Sequence, residues 1–335
     1  QIDLADRGSH PPIEDAPALE AQPPRRQPLT TATGAFTVSA DGIALSQLSV
    51  NEGQFSGDIA RHGNDRWTVR GQLQGLRVSD WIQTSSLPAL VLNGRIDAEG
   101  RPWPQPRGRL KFSLDGTRVG ARRVSGSGDL RFDEVSVDID HLALHSGANR
   151  LQADGRLDLA GGDIRFSLQA PSLAEFGAGY GGALQADGRL AGRFDRPALT
   201  ASWRADALRM PQGLSLASAD GQLQASLQRD APLHLQVEAR GIALRSLRVA
   251  TLEARADGSF ASHRLQLAIT SNEENLKVDA TGGIDQLNAE ARWRGELSRA
   301  QLDGRVALRT EGPATLLVSA SESAVSQLRI NRSEE

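Results

Sequence analysis

LQADGRL, which occupies residues 151–157 and occurs again at residues 184–190, decides the fold of this chain. Looser copies of the pattern run through much of the sequence, as in ASADGQLQASL (217–227) and EARADGSF (253–260). In each copy an apolar residue recurs at every second position and a polar residue fills the gap. This period of two is typical of a β-strand with one apolar and one polar face. The sequence therefore predicts an all-β protein whose long sheet has an apolar side that something must cover.

Composition narrows the class of protein. Hydrophobic residues make up 39% of the 335 residues and charged residues 24%, which is typical of a folded chain rather than a disordered one. The formal net charge of −3 is spread evenly, and no basic face with interleaved aromatic residues occurs, so we expect no nucleic-acid partner. The absence of cysteine excludes disulfides, thiolate zinc sites and a cysteine nucleophile. The longest apolar stretches, LPALVL (87–92) and ATLLVSA (314–320), are too short to span a bilayer as helices.

Three segments are expected along the chain. Residues 1–33 are rich in proline and are interpreted as a flexible linker, with a peptide ligand for a groove as the alternative. Residues 34–330 are expected to form one continuous elongated β-groove, and residues 331–335 a truncated end. Short helical turns are predicted at residues 79–83 and 172–176, where a serine precedes a brief apolar run. The sequence is interpreted as a fragment of a longer chain.

The Asp-Gly pairs are expected to differ in structure. At residues 41–42 a two-residue hairpin turn places Ala40 opposite Ile43, so that both point to one face. At three later pairs the same turn would set polar against apolar residues, so the strand is expected to run straight through and bend at an inward glycine. Such bends would curl the sheet into a trough, and a flat two-sheet sandwich with ordinary bulges is the alternative. The predicted strand-bend glycines are Gly155, Gly188 and Gly258.

No catalytic constellation is recognisable in the sequence. His141 and His145 share a strand face, but two imidazoles form an incomplete metal site and are interpreted as surface residues. GAGYGG (177–182) fits a dinucleotide-binding pattern, yet a strand-like segment follows where that motif needs a helix, so we expect a turn. The prediction is therefore a protein that is not an enzyme and binds no metal or cofactor.

Four phrases of the sequence resemble the TamB family (the inner-membrane component of the translocation and assembly module) and, more broadly, the AsmA-like superfamily of bridge-like lipid transport proteins. They are SGANRLQADGRL (146–157), APSLAEFGAGYGGALQADGRLAGRF (170–194), the strand around Trp203, and ARADGSFASHRLQLAI (254–269). A Gly–aromatic–Pro phrase recurs at residues 192–197 and, in a longer form, at residues 100–106. The resemblance is densest between residues 147 and 312.

This resemblance implies a taco-shaped β-sheet with a hydrophobic groove, acting in the periplasm of a Gram-negative bacterium in a chain anchored in the inner membrane. It implies carriage of glycerophospholipids between inner and outer membrane, with phospholipid acyl chains as the ligand. It also implies an Omp85-type barrel similar to TamA as a partner, contacted through regions outside this sequence. The alternative is an assembly factor for outer-membrane β-barrel proteins that acts through sheet edges. A closed β-solenoid is disfavoured because the repeats vary in length.

The inward positions of the strands define the expected groove lining. About 20 strands at roughly 4.8 Å each would give a sheet on the order of 100 Å long. A charge in the lining, as in Leu267→Arg, is expected to block lipid transfer. The expected lining residues are Leu157, Leu159, Ile164, Phe166, Leu190, Phe194, Trp203, Leu223, Leu235, Val237, Phe260, Leu265, Leu267, Ile269, Val278 and Trp293.

Overall fold

The chain folds into one long, curved antiparallel sheet. In the part of the chain that the structure describes, the long elements are all strands, and the helical elements with defined bounds are two 3-10 turns at Leu173–Phe176 and Pro211–Gly213. The predicted all-β class is confirmed. A computed structural model describes residues 32–39, 42–50, 53–62, 66–78, 90–101, 105–120, 122–226, 228–245, 247–285, 291–319, 323–326 and 329–332.

The described residues contain 23 strands, numbered here in chain order. They are β1 (Ala32–Ser39), β2 (Gly42–Val50), β3 (Gly53–His62), β4 (Arg66–Arg77), β5 (Leu90–Arg101), β6 (Arg107–Val119), β7 (Arg122–Asp133), β8 (Ser136–Ser146), β9 (Asn149–Asp158), β10 (Gly161–Ala170), β11 (Gly181–Arg193), β12 (Arg196–Arg209), β13 (Leu214–Ser215), β14 (Ser218–Ser226), β15 (Pro232–Leu244), β16 (Leu247–Ser259), β17 (His263–Thr270), β18 (Glu274–Ile284), β19 (Arg292–Gly304), β20 (Leu308–Thr310), β21 (Ala314–Ser319), β22 (Ser323–Ser326) and β23 (Ile330–Arg332).

Each long strand pairs antiparallel with the strands before and after it in sequence, so the sheet is an up-and-down meander. Two places in the sheet are filled by two short strands lying end to end. The strands β13 and β14 both lie between β12 and β15, and β20 and β21 both pair with β19. None of the described connections holds a helix long enough for a parallel crossover, which explains why neighbouring strands are antiparallel.

The two faces of the sheet differ in burial. Along β9 and β14–β16 most of the apolar side chains are buried or half-buried, whereas most of the polar side chains between them are exposed. Alternation of this kind follows from the pleat, which points successive side chains to opposite faces. Two clusters of buried residues lie on the apolar face, each spread over neighbouring strands. They are Ala205, Ala219 and Ala239, and Ala280, Leu297 and Ala314.

Glycine is required inside the strands for two distinct structural reasons. The strands run through the Asp-Gly pairs as predicted, since Gly155 lies in β9, Gly188 in β11 and Gly258 in β16. Gly155 has φ +125° and Gly258 φ +140°, which L-residues rarely adopt. A Cβ on Gly155 would also collide with the carbonyl oxygen of Asp163 on β10. At Gly188 the obstacle is a side chain, because a Cβ there would collide with the ring of Phe166.

The first hairpin differs from the sequence prediction in its register. Ser39 pairs with Gly42, and Val38 pairs with Ile43, so Gly42 belongs to β2 rather than to the turn. The predicted pairing of Ala40 with Ile43 is therefore wrong. The observed register is shifted by one residue from the predicted one, and such a shift changes every cross-strand partner in the hairpin.

The predicted helical turn at residues 172–176 is confirmed as the 3-10 turn Leu173–Phe176. Ser172 occupies the capping position but makes no side-chain cap hydrogen bond. Instead, the amide of buried Asn149 donates to the Ser172 carbonyl (2.9 Å) and accepts from its N–H (3.1 Å), which fastens the turn to β9. The turn predicted at residues 79–83 and residues 1–31 of the predicted linker lie outside the described residues, and β1 begins at Ala32.

Candidate functional site

An unbroken row of apolar residues and glycines crosses the sheet from β4 to β21. We call it the central row. In antiparallel pairs, residues directly opposite each other point to the same face, so the row follows from the strand registers alone. All of its members are buried or half-buried. They are Gly71, Ile96, Phe112, Gly128, Leu142, Ala153, Phe166, Gly188, Ala201, Leu223, Leu235, Ala256, Leu265, Ala280, Leu297 and Ala314.

A second apolar row lies beside the first on the same face. We call it the neighbouring row, and it runs from β9 to β19 without a polar side chain. It is two residues away from the central row along β9–β18, and three residues away along β19 because of a bulge there, so the two rows together form a broad apolar strip. Its members are Leu151, Leu168, Ala186, Trp203, Gly221, Val237, Ala254, Leu267, Val278 and Ala300.

Aromatic rings lie over glycines of adjacent strands within this strip. Phe166 is directly opposite Gly188, and Trp203 is directly opposite Gly221. A Cβ added to either glycine would collide with the ring. Phe112 and Gly128 form the same arrangement between β6 and β7. Because glycine has no side chain, the ring can lie low across the neighbouring strand, and the apolar face stays shallow at these positions.

The structure brings most of the predicted lining residues onto one face. Four of them belong to the central row and four to the neighbouring row, while Leu157, Ile164, Leu190, Ile269 and Trp293 lie elsewhere on the same face of their strands. The central-row four are Phe166, Leu223, Leu235 and Leu265, and the neighbouring-row four are Trp203, Val237, Leu267 and Val278.

Three predicted lining residues lie outside the strands. Leu159 follows the end of β9 in a turn and is 39% exposed. Phe194 lies in the turn between β11 and β12, and Phe260 lies in the turn between β16 and β17. These three residues sit at one rim of the sheet rather than on its apolar strip, because the strands end one residue or more before the alternation in the sequence does.

Sequence reasoning missed the part of the central row that lies in β5–β8. Ile96, Phe112, Gly128 and Leu142 continue the row there. The signal was weak, because small residues fill many inward positions of β5 and β7. In β7 the inward residues include Gly126 and Gly128, so the segment lacks the apolar alternation that marks a strand.

A buried histidine lies on the apolar face. His263 is 6% exposed and lies opposite Gly258 and Gly282. The indole N–H of Trp293 donates to its Nε2 (2.8 Å), and its Nδ1 lies 2.9 Å from the carbonyl oxygen of Ser259. A carbonyl can only accept, so Nδ1 carries the proton and Nε2 does not. The hydrogen bonds therefore hold a neutral imidazole, and the face gains no charge at this position.

Paired charged side chains lie on the opposite, polar face. Asp163 contacts both Arg165 (3.1 Å) and Arg189 (3.2 Å), and the hydrogen bond from Arg165 is the largest cause that lowers the pKa of the Asp163 carboxyl. On β18, the hydrogen bond from Gln266 and the charge of Arg264 likewise lower the pKa of Asp279. The strands thus separate an uncharged apolar face from a polar face of paired charges.

Open cavities lie on the polar face. One of about 690 Å³ extends over β9–β16, and its lining includes the side chains of Asp154, Asp187, Gln222 and Arg255. A second of about 790 Å³ lies over β4–β7. The apolar face is instead occupied by its own side chains, which lie against each other and against glycines. Among the residues that the structure describes, no three His, Asp or Glu side chains are placed to hold a metal ion.

This geometry defines an elongated groove protein, a long curved antiparallel sheet with one continuous apolar face. The sequence model described as "TamB, N-terminal domain" matches residues 30–326, and the chain belongs to the TamB family. Proteins of this family are transport and assembly factors of the Gram-negative cell envelope rather than enzymes. No solved structure matches the chain. Within the described residues, no helix has the length and apolar character needed to cross a membrane.

Proposed function

We propose that the apolar strip carries the acyl chains of glycerophospholipids between the inner and outer membranes. In this proposal the sheet lies in the periplasm, within a chain anchored in the inner membrane and working beside an Omp85-type barrel similar to TamA. The observation that carries the proposal is the central row, which has an apolar residue or glycine at each of its sixteen positions between β4 and β21. Sixteen strand positions at about 4.8 Å correspond to a path on the order of 70 Å.

The physical chemistry of the strip supports lipid as the occupant. Burying one leucine contributes about 1.5–3 kcal/mol relative to leaving it in water, and contiguous apolar patches above a few hundred Å² are usually interaction sites. Acyl chains need no directional contacts, which fits a face whose inward residues offer almost none. The imidazole of His263, which is buried on this face, is neutral and has both ring nitrogens occupied by hydrogen bonds.

The second candidate function is assembly of outer-membrane barrels through the sheet edge. Within the described residues β1 pairs only with β2, and Val38 on this strand is 65% exposed. An exposed edge strand offers unpaired backbone groups to another chain. This function requires crosslinks from a barrel substrate to the backbone edge of β1 and no lipid on the apolar strip.

The test compares Leu267→Arg with Gln266→Arg. The two residues are adjacent on β17, and Leu267 lies in the neighbouring row while Gln266 is exposed on the polar face. We expect Leu267→Arg to lower the rate of phospholipid transfer between donor and acceptor vesicles by about tenfold or more. Raising the free-energy barrier to transfer by only about 1.4 kcal/mol is enough for a tenfold decrease. Gln266→Arg should transfer at the parent rate. Normal transfer by a folded Leu267→Arg chain would overturn the proposal.

A further inference from the structure

A second site lies on the polar face over the ends of β4–β7. Its cavity of about 790 Å³ is bordered by Arg95 of β5, Arg118 of β6 and Arg123 of β7. All three arginines are exposed, and Asp115 is the one carboxylate among the lining residues. We call these three arginines the arginine cluster. The cavity therefore has an excess of positive charge.

Two members of the arginine cluster face each other without a carboxylate between them. Arg118 is directly opposite Arg123 in the β6–β7 pair. Like charges in directly opposite positions destabilise a sheet. Among the described ion pairs, those of β6 and β7 join Arg109 and Lys111 to Asp129, and Arg131 to a carboxylate of β8, and none involves the arginine cluster.

Two other pairs of opposed arginines in the sheet are neutralised by a carboxylate of the chain itself. Arg165 and Arg189 are directly opposite in the β10–β11 pair, and the carboxylate of Asp163 lies within 3.2 Å of both. The same arrangement recurs at Arg193, Asp195 and Arg196. The contrast suggests that the anion opposite the arginine cluster is supplied from outside the chain.

The backbone around the arginine cluster is held in an irregular shape by side-chain bonds. Each of the β4–β5, β5–β6 and β6–β7 pairs has a register shift at this end of the strands. Asn93 accepts from the Gly75 N–H (2.8 Å), and its amide donates to the Gly116 carbonyl (3.0 Å). Its backbone N–H donates to the hydroxyl of Thr117, which is 1% exposed. Bulges re-aim side chains, and these bonds fix the bulges that flank all three arginines.

We propose that the arginine cluster binds the phosphate group of a glycerophospholipid headgroup. The guanidinium fork matches phosphate oxygens, and several arginines on one phosphate give strong charge-assisted hydrogen bonds. The choice of a lipid as the source of the phosphate rests on the proposed function. Arg118 lies one residue before the end of β6, so an acyl chain attached to the bound phosphate would pass around this rim of the sheet to reach the apolar strip on the opposite face.

The test variant is Arg123→Glu. It places a carboxylate opposite Arg118, so an opposite-charge pair replaces a like-charge pair and the fold should not suffer. The ligands are a short-chain phosphatidylglycerol below its micelle concentration and glycerol 3-phosphate, which has the same phosphate without acyl chains. We expect Arg123→Glu to weaken binding of the phosphatidylglycerol by about tenfold or more in titration calorimetry, because it removes a charged hydrogen-bond donor.

The matched control is Arg107→Glu. Arg107 lies at the other end of β6, directly opposite Arg101 and outside the cavity. Arg107→Glu therefore makes the same change of net charge as Arg123→Glu, and also within a pair of opposed arginines. Parent-like binding by this control and weak binding by Arg123→Glu would support the site. Equal losses in both variants would overturn it, because net charge alone would then explain the effect.

Further outcomes separate this site from the groove. If Arg123→Glu binds phosphatidylglycerol as the parent does while Leu267→Arg does not, the phosphate site is overturned and the groove proposal stands. If the parent chain binds glycerol 3-phosphate through Arg123 but binds no lipid, lipid is overturned as the source of the phosphate, together with the groove proposal. Binding of an acidic peptide with neither phosphate ligand would also overturn the site.

Discussion

The strands β4–β8 and the strands β9–β18 belong to one sheet but are held together differently. Every pair of neighbouring strands in β4–β8 has a register shift, whereas from β9 to β18 the one recorded shift lies at Gly181 at the start of β11. The side chains buried in β4–β8 are those of the polar Thr117 and Asp129, whereas those buried in β9–β18 are mostly leucine, isoleucine, valine and alanine. We call these the bulged region and the regular region.

The difference shows that the apolar row does not depend on a single mode of stabilisation. In the bulged region, hydrogen bonds and ion pairs fix the strands, and the central row continues across them through Phe112 and Leu142. In the regular region, apolar side chains pack against each other on the same face, as in the cluster of Ala205, Ala219 and Ala239. A path of constant apolar character can thus be built from strands with different local geometry, and substitutions in the two regions should have different consequences.

The largest effect is expected from Gly155→Ala in the regular region. The residue needs φ +125°, and a Cβ would collide with the backbone of β10, so neither strand can adjust by rotating a side chain. We expect a loss of about 3 kcal/mol or more in the free energy of unfolding, measured by urea denaturation. The control is Gly312→Ala, where an added Cβ meets nothing within 4 Å. Equal stability of the two variants would show that the bend at Gly155 is dispensable.

A smaller effect is expected from Asp129→Asn in the bulged region. The carboxylate is almost fully buried and contacts Arg109 (2.6 Å) and Lys111 (3.2 Å). Replacing this carboxylate with an amide should lower the free energy of unfolding by about 1–3 kcal/mol. The reason is that Arg109 and Lys111 would then face a buried neutral group instead of an anion. The control is Asp220→Asn in the regular region, where the Arg204–Asp220 pair is exposed and should contribute less than about 1 kcal/mol. Comparable losses in both variants would contradict the proposed role of burial.

The smallest expected effect is a difference in acid sensitivity between the regions. Hydrogen bonding by Arg109 holds the pKa of Asp129 well below its ordinary value of 3.8. A depressed folded-state pKa stabilises the protein above the unfolded-state pKa, and this contribution is lost as the pH falls below it. Between about pH 6 and pH 3, the hydrogen-exchange protection factors of β6 and β7, which are corrected for the intrinsic exchange rate, should therefore fall more than those of β14 and β15. This difference should be smaller in Asp129→Asn. An unchanged difference in the variant would contradict the assignment.

The regular region was predictable from the sequence because its alternation is uninterrupted. In β9 and β11 the LQADGRL repeat places each leucine and glycine on one face, and the structure keeps that order. The bulged region was harder to predict, because a bulge shifts the alternation and because glycines such as Gly128 stand at inward positions under the Phe112 ring. A glycine under an aromatic ring belongs to the apolar face, yet by itself it carries no apolar signal.

The sequence alone could not predict which residues of different strands together form the central row and the neighbouring row. Alternation shows which residues share a face of one strand, but only the register shows that Leu223 is opposite Leu235 and Trp203 opposite Gly221. The same limit explains the first hairpin, where a turn shifted by one residue changed every pair. The hydrogen bond between His263 and Trp293 joins residues 30 positions apart, so the sequence alone made His263 look isolated.

The most direct test of the central claim places a photocrosslinking amino acid at four positions in β14 and β15 and identifies the bound molecules by mass spectrometry. Leu223 and Leu235 are opposite each other in the central row, and Gln222 and Gln236 are opposite each other on the polar face. The lipid-carrying groove predicts phospholipid adducts at both leucine positions and none at the two glutamine positions. Adducts at all four positions, or at the glutamines alone, would contradict it.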